Sequence, residues 1–141
     1  MTEIILPKMY FAHPLSTYNT DLENMLIEII KARFPGYELE NPNQPHHQKA
    51  CQEAKEKTGN AMNYFLNDLI PKMDAGIALP FKDNMFGAGI FAEMEGIYQR
   101  KKPIWQIDFQ GKIDPLDRMD ERRRLSIEDT RARVRDINYL I

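Results

Sequence analysis

The chain is organised around residues 73–107, MDAGIALPFKDNMFGAGIFAEMEGIYQRKKPIWQI. Residues 77–81 form an apolar run that is too short for a helix, which predicts a central parallel strand buried on both faces. Residues 87–101 then carry apolar side chains at helical spacing. Pro103 opens a second strand, IWQID. Strand, loop, helix and strand in this order form one βαβ unit.

The first elements of the chain continue the same alternation. Residues 8–12, KMYFA, predict a strand that ends before a His-Pro pair. Thr20 and Glu23 have the spacing of a capping box, so the apolar periodicity after them predicts a helix. The Pro-Gly pair at 35–36 ends that helix.

The next region predicts a strand and a long helix. Residues 37–39 form a brief extended segment before an Asn-Pro-Asn turn. Residues 46–70 are mostly helix formers, with a break at the Thr-Gly pair 58–59 and an end at Pro71.

The C-terminal part has weaker signals. The Asp-Pro pair at 114–115 predicts a turn. Ser126 and Asp129 repeat the capping-box spacing before a last short helix. We interpret residues 112–141 as a C-terminal extension of a single domain that spans residues 1–141.

Alternating strands and helices with short connections predict an α/β fold. We expect a doubly wound, flavodoxin-like domain with a mainly parallel sheet of about five strands. Ligands of such sheets bind at the carboxyl ends of the strands. The loops at 13–18, 41–47 and 82–89 should therefore meet at one edge and form the site.

Composition narrows the classes of function. Of 141 residues, 43% are apolar and 28% charged, which is enough for a core and a charged surface. The net charge of −2 provides no broad cationic surface, so we expect no nucleic-acid partner. No apolar run approaches the ~20 residues of a membrane span, and residues 1–11 lack the pattern of a signal peptide. With Cys51 as the single cysteine, we expect a cytoplasmic protein without membrane contacts.

Glu93 is the leading candidate for a catalytic residue. Helical spacing places Phe86, Gly89, Glu93 and Gly96 on one line, so residues without side chains flank the carboxylate at i−4 and i+3. This arrangement leaves space for a ligand. A glutamate near a helix N-terminus also stabilises the helix dipole without any catalytic role, and that alternative stays open.

The same loop matches a dinucleotide fingerprint. Residues 87–92 read G-x-G-x-x-A, and Asp108 lies about 20 residues on. However, residues 82–86 separate the predicted strand from the first glycine, where the fingerprint requires a tight turn. The chain after Asp108 is also too short for a second half-domain. Nicotinamide dinucleotide binding is kept as an alternative, and no other cofactor is expected.

Three further features have both a structural and a functional interpretation. His46 and His47 are adjacent, so their side chains diverge, which favours a solvated helix start over a zinc site, and we expect no metal. His13 lies at the predicted ligand edge and either binds substrate or holds its loop. The arginines between 118 and 124 alternate with acidic residues, which favours a solvated ion-pair face over a phosphate site. Ser16 is a second candidate for phosphate binding.

Several short motifs occur together along residues 8–107. They are YFAHP at 10–14, Asp74 in MDAGIALPF, and G-x-x-x-E-x-E at 89–95, followed by KKPIW. In these motifs the chain resembles the nucleoside 2-deoxyribosyltransferase superfamily, which includes nucleoside transferases and nucleotide N-glycosidases. The resemblance implies the same flavodoxin-like fold.

The resemblance also implies roles for particular residues. Glu93 would be the nucleophile that attacks the anomeric carbon and forms a glycosyl-enzyme intermediate, which water or a second base resolves. Tyr10 falls at the tyrosine that orients the nucleophile, although a buried core tyrosine is the alternative. Asp74, Gly87 and Gly89 are assigned to substrate binding. A homo-oligomer is expected, with the final INYLI as a docking segment.

The chain departs from the superfamily pattern at three positions. Leu66 stands eight residues before Asp74, where relatives carry an acidic residue, so the general acid is unassigned. Asp68 or Asn63 could contact the leaving base instead. Phe91 and Glu95 also replace small residues, and these changes motivate an alternative in which the fold senses a nucleotide-derived ligand without turning it over. The base, sugar, phosphate state and acceptor remain open.

Overall fold

The computed structural model describes residues 5–136 and contains one sheet of five strands. The strands are β1 (Lys8–Ala12), β2 (Glu38–Glu40), β3 (Ala75–Ala78), β4 (Ile104–Ile107) and β5 (Ile113–Leu116). Their order in the sheet is β2-β1-β3-β4-β5, and only the β4–β5 pair is antiparallel. This confirms the predicted α/β fold with a mainly parallel sheet of flavodoxin-like order.

Residues 5–136 contain four α-helices, of which the first and third contact strands of the sheet. They are α1 (Asp21–Arg33), α2 (Pro45–Thr58), α3 (Ala88–Gln99) and α4 (Ile127–Arg135). The predicted helix at 46–70 is divided, because Gly59 at φ 77° caps α2 in a left-handed conformation that suits glycine. A π-helical segment, Tyr64–Leu69, and a 3-10 turn, Ile70–Lys72, follow. No helix within residues 5–136 is long and apolar enough to cross a membrane.

Two predicted elements were wrong in detail. The central strand ends at Ala78 rather than at residue 81, since Pro80 has no N–H for the ladder and the N–H of Phe81 bonds to the Met85 carbonyl at 2.9 Å. The Asp-Pro pair at 114–115 lies in β5 rather than in a turn. Pro115 is compatible with a strand there because β5 is at the edge of the sheet.

Successive side chains of β1 point to opposite faces of the sheet. Met9 and Phe11 belong to the cluster that packs against α1, whereas Tyr10 and Ala12 belong to the cluster that packs against α3. Tyr10 therefore faces the helix that carries Glu93.

A glycine in the sheet allows α3 to approach closely. A Cβ atom at Gly76 would lie 2.7 Å from Cδ1 of Ile97 and 3.0 Å from Sδ of Met94, both on α3. A side chain at position 76 would force the ends of the Ile97 and Met94 side chains to move. Gly76 therefore allows β3 and α3 to pack closely.

The cap of α1 provides a first prediction. The Thr20 hydroxyl accepts a hydrogen bond from the Glu23 N–H at 3.2 Å and donates one to the Thr17 carbonyl at 2.6 Å. Thr20→Ala removes both and should lower the free energy of unfolding by about 1 kcal/mol, whereas Thr20→Ser keeps the hydroxyl and should lose much less. Urea denaturation measures the difference. Equal stability of the two variants would show that the cap contributes nothing.

Candidate active site

A cavity of about 490 Å³ lies at the carboxyl ends of β1 and β3. Its wall comes from β1 and the following loop, from α2, from residues 61–65, and from the start of α3 and part of α4. The structure brings five of the predicted site residues to this wall: Tyr10, His13, Gly87, Gly89 and Glu93. Its position agrees with the rule that ligands of parallel sheets bind beyond the carboxyl ends of the strands.

Glu93 is the central polar group of the wall. Its side chain is buried, and the hydroxyl of Tyr10 donates a hydrogen bond to its Oε2 atom. Burial raises the pKa of Glu93 to about 7, although the hydrogen bond from Tyr10 acts in the opposite direction. Glu93 is therefore expected to titrate near neutral pH. A carboxyl group that titrates near neutrality in a cleft is a candidate for chemistry.

Two tyrosines of the cavity wall, Tyr10 and Tyr18, are held in their protonated forms. Burial, and then the charge of Glu93, raise the pKa of Tyr10 well above its ordinary value of 10.0. Burial also raises the pKa of Tyr18, which lines the same cavity. Both hydroxyls keep their protons at neutral pH, so Tyr10 can hold one carboxylate oxygen of Glu93 in place while the other stays available.

His13 uses both ring nitrogens within the protein. Its Nδ1 atom lies 2.9 Å from the Phe11 carbonyl, which can only accept, and its Nε2 atom lies 2.7 Å from Glu23 Oε2. The ring also stacks on Phe11, with 4.1 Å between ring centroids. These contacts favour the interpretation that His13 holds its loop, with the ring forming part of the cavity wall.

Glu23 joins two of the loops that were predicted to meet. Burial raises the pKa of Glu23, but hydrogen bonds from His13, the Asn19 N–H and the Asn43 amide outweigh burial and lower the pKa overall. Asn43 belongs to the loop after β2, and its amide lies 3.0 Å from Glu23 Oε1. The sequence identified Glu23 only as part of a helix cap, because a capping box gives no sign of such distant partners.

Three predicted binding residues do not reach the cavity. Asp74 lies at the amino end of β3, where it accepts a hydrogen bond from the Lys8 N–H at 2.8 Å, with Lys102 Nζ 4.0 Å away. Lys102 itself lines a surface hollow of about 560 Å³ at that opposite end of the sheet. Asp68 is exposed and lines a separate hollow. Ser16 is not on the wall either, although its buried Oγ has no hydrogen-bond partner among residues 5–136.

The C-terminal extension contributes to the wall, which the sequence did not indicate. Thr130 and Val134 of α4 line the cavity. The Thr130 hydroxyl accepts a hydrogen bond from the Ala88 N–H, at the first residue of α3, at 2.9 Å. An ion pair of 2.8 Å between Arg133 and Asp83 connects α4 to the loop after β3. These contacts join distant parts of the chain, and no local pattern encodes them.

Helix α2 supplies further wall residues that sequence reasoning missed. Gln48, Cys51 and Gln52 all line the cavity. Burial, and then the charge of Glu93, raise the pKa of the Cys51 thiol, which favours its protonated form at neutral pH. The helical spacing of these residues was visible, but α2 has too few apolar positions to indicate which face is buried.

The prediction of a solvated histidine pair was half wrong. His46 is exposed, but His47 is buried, and its Nδ1 atom lies 2.5 Å from the Tyr64 hydroxyl. The nearest carboxylate oxygen, on Glu40, is 3.6 Å from Nε2, which is too long for a hydrogen bond. Burial lowers the pKa of His47. Among the described residues, no three His, Cys, Asp or Glu side chains are grouped so that they could hold a metal ion.

The geometry around Gly87 counts against the dinucleotide alternative. Because β3 ends at Ala78, residues 79–86 separate the strand from Gly87. Gly87 has a φ of −57°, which any residue can adopt. The carboxylate of Asp108 accepts hydrogen bonds from the N–H groups of Gln110 and Lys112 at 2.9 Å and does not line the cavity.

The fold and the cavity together define a class: an α/β domain with a buried, titratable glutamate at the carboxyl edge of a parallel sheet. No protein-family model matches this chain, and no curated protein matches it significantly. The function therefore has to be argued from the site and from the motifs in the sequence.

Proposed function

We propose that this protein hydrolyses or transfers the N-glycosidic bond of a nucleoside or nucleotide, with Glu93 as the nucleophile. The observation that carries the proposal is the buried Glu93, hydrogen-bonded by Tyr10, on the wall of a cavity of about 490 Å³. That volume is in the range of small-molecule sites. The resemblance of residues 10–14 and 89–105 to the nucleoside 2-deoxyribosyltransferase superfamily supplies the class of reaction.

The proposed reaction proceeds in two displacements. The ionised Glu93 attacks the anomeric carbon, the carbon–nitrogen bond breaks, and its electron pair leaves with the base. Water or a second base then attacks the same carbon and releases Glu93 as a carboxylate, and the proton that the attacking group loses balances the one that the departed base takes up. Tyr10 holds Oε2 by its hydrogen bond, which leaves Oε1 free to form the bond. Water as acceptor gives a hydrolase, and a base as acceptor gives a transferase.

The experiment that tests this proposal is a panel of nucleosides and nucleoside monophosphates, incubated with and without a free acceptor base. Chromatography separates released base, exchanged nucleoside and intact substrate. Base release or exchange that follows the protein concentration supports the proposal. Neither product with any member of the panel, at any pH between 6 and 8, would overturn it.

A second candidate is a module that senses a nucleotide-derived ligand without cleaving it. One observation favours it: Glu93 is the only carboxyl group on the described cavity wall, so no second acid is positioned there to protonate a leaving base. Stoichiometric binding by calorimetry, with the ligand recovered intact, would establish this candidate.

The dinucleotide alternative has its own test. A titration with NAD that leaves the fluorescence and thermal stability of the protein unchanged would remove it.

Two further expectations belong to the proposal. A homo-oligomer and a cytoplasmic location both stay predictions. The INYLI segment, residues 137–141, which we proposed as a docking segment, lies outside the described residues.

Tyr10→Phe tests the role of the hydroxyl. Its hydrogen bond lowers the pKa of Glu93, so the variant should require a higher pH to ionise the nucleophile. We expect turnover at pH 7 to fall by about 10- to 100-fold, because a hydrogen bond to a charged group contributes about 1.5–3 kcal/mol. The rising limb of the kcat/KM profile should also move to higher pH. A profile that keeps its midpoint would mean that Tyr10 has only a packing role.

A further inference from the structure

We infer that the cavity takes a nucleoside without a 5′-phosphate. This inference rests on the proposed function and deepens it, because the sequence left the phosphate state open. The charges of the cavity wall and the contacts at the start of α3 support it.

The described cavity wall contains no lysine or arginine. Besides Glu93, its ionisable side chains are those of Tyr10, Tyr18, Cys51 and His13. The nitrogens of His13 already face Phe11 and Glu23. A phosphate monoester carries a charge of about −1.5 to −2 at neutral pH, and proteins bind such groups with arginine, lysine or several N–H donors. Beside a buried carboxylate, a second anion without a cation would be repelled.

Three arginines near the wall in sequence are engaged elsewhere, and Arg131 and Arg135, the neighbours of the wall residues Thr130 and Val134, are exposed and do not line the cavity. Arg123 stacks on the Phe86 ring at 4.2 Å and donates a hydrogen bond of 2.9 Å to the Asn84 carbonyl. The guanidinium of Arg124 lies 5.3 Å from the centre of the Phe91 ring. Arg133 forms its ion pair with Asp83. None of the three lines the cavity.

The start of α3 is the remaining place for an anion, because the N–H groups of a helix N-terminus attract phosphate. Here a side chain of α4 occupies the first of these N–H groups, that of Ala88. The Thr130 hydroxyl accepts the hydrogen bond of the Ala88 N–H at 2.9 Å, and Thr130 Cγ2 lies 3.1 Å from the position of a Cβ atom on Gly87. A phosphate bound to the Ala88 N–H would have to displace the Thr130 side chain.

The rest of the wall suits an uncharged ligand. Phe65 and Phe81 contribute aromatic side chains, and Met62 and Ile90 contribute aliphatic ones. Such surfaces pack against the faces of a base and a sugar. The described wall therefore suits an uncharged nucleoside and has no lysine or arginine for a phosphate.

The test compares kcat/KM for a series of 2′-deoxynucleosides with that for their 5′-monophosphates. We expect each cleaved nucleoside to be preferred by about 100-fold, since placing like charges together costs several kcal/mol. Val134→Lys places a cation on the wall and should reduce the preference by about 10-fold. Ala132→Lys adds the same charge at an exposed position of α4 and should leave the preference unchanged.

The outcomes separate this inference from the proposed function. Preferred cleavage of the monophosphates overturns the inference and leaves the proposed function intact. Cleavage of neither series overturns the proposed function, and calorimetry with both series then decides the inference. Tighter binding of the nucleosides supports it, whereas tighter binding of the monophosphates, equal binding, or no binding of either overturns it.

Discussion

Glu93→Gln should reduce kcat by about 10⁴-fold or more, as the loss of a nucleophile does in enzymes that act through a covalent intermediate. The amide of glutamine has the size of the carboxyl group but cannot form the bond to the anomeric carbon. Its carbonyl oxygen can still accept the hydrogen bond from Tyr10, so the cavity should keep its shape. Steady-state kinetics of base release measure the loss.

A matched control lies two residues further along α3. Glu95→Gln makes the same chemical change in a partly exposed side chain, which accepts a hydrogen bond from Gln99 at 2.6 Å and does not line the cavity. It should retain full activity. If Glu93→Gln retains more than a tenth of the wild-type kcat, Glu93 is not the nucleophile. Loss of activity in both variants would indicate a general effect on the helix instead.

The elements that the sequence predicted best are those with short-range causes. The caps at Thr20 and Ser126 depend on a hydroxyl and an N–H only three residues apart, and both hydrogen bonds are present. The run at residues 8–12 predicted β1, and strict alternation along it turns Tyr10 towards α3. The pairing of Tyr10 with Glu93 follows from the two-residue alternation along β1, the helical period of α3 and the packing of α3 against the sheet.

The features that the sequence did not predict depend on which distant surfaces meet. His47 is buried because α2 places it against Tyr64, and the periodicity of a polar helix does not indicate that contact. Thr130 reaches the start of α3 across 42 residues of sequence. The same holds for Asp74, whose motif was visible but whose position at the amino end of β3 takes it away from the cavity.

The pH dependence of stability gives the second large effect. The pKa of Glu93 is about 7 in the folded protein against an ordinary value of 4.5, so the folded state holds this proton more tightly than the unfolded chain does. Stability should therefore fall as pH rises from 4.5 to 7 and stay low above that range. Over the whole range the free energy of unfolding falls by about 3 kcal/mol, because each pH unit between the two pKa values corresponds to about 1.4 kcal/mol.

Titration of His47 changes the stability in the opposite direction, so its contribution has to be separated from that of Glu93. Its pKa is lowered by burial, so the unfolded chain binds a proton below its ordinary value of 6.5 while the folded protein does not. This group removes stability as the pH falls. The difference between wild type and Glu93→Gln isolates the contribution of Glu93, since both proteins contain His47.

Urea denaturation at pH 5 and pH 8 measures that difference. Relative to wild type, Glu93→Gln should gain about 2–3 kcal/mol between the two pH values, and Glu95→Gln should follow wild type. If the difference in stability between wild type and Glu93→Gln is the same at both pH values, Glu93 is already ionised at pH 5. In the proposed reaction the same ionisation supplies the nucleophile, so kcat/KM should rise over the pH range in which the wild-type protein loses stability. A mutation that lowers the pKa of Glu93 should then shift both curves together to lower pH.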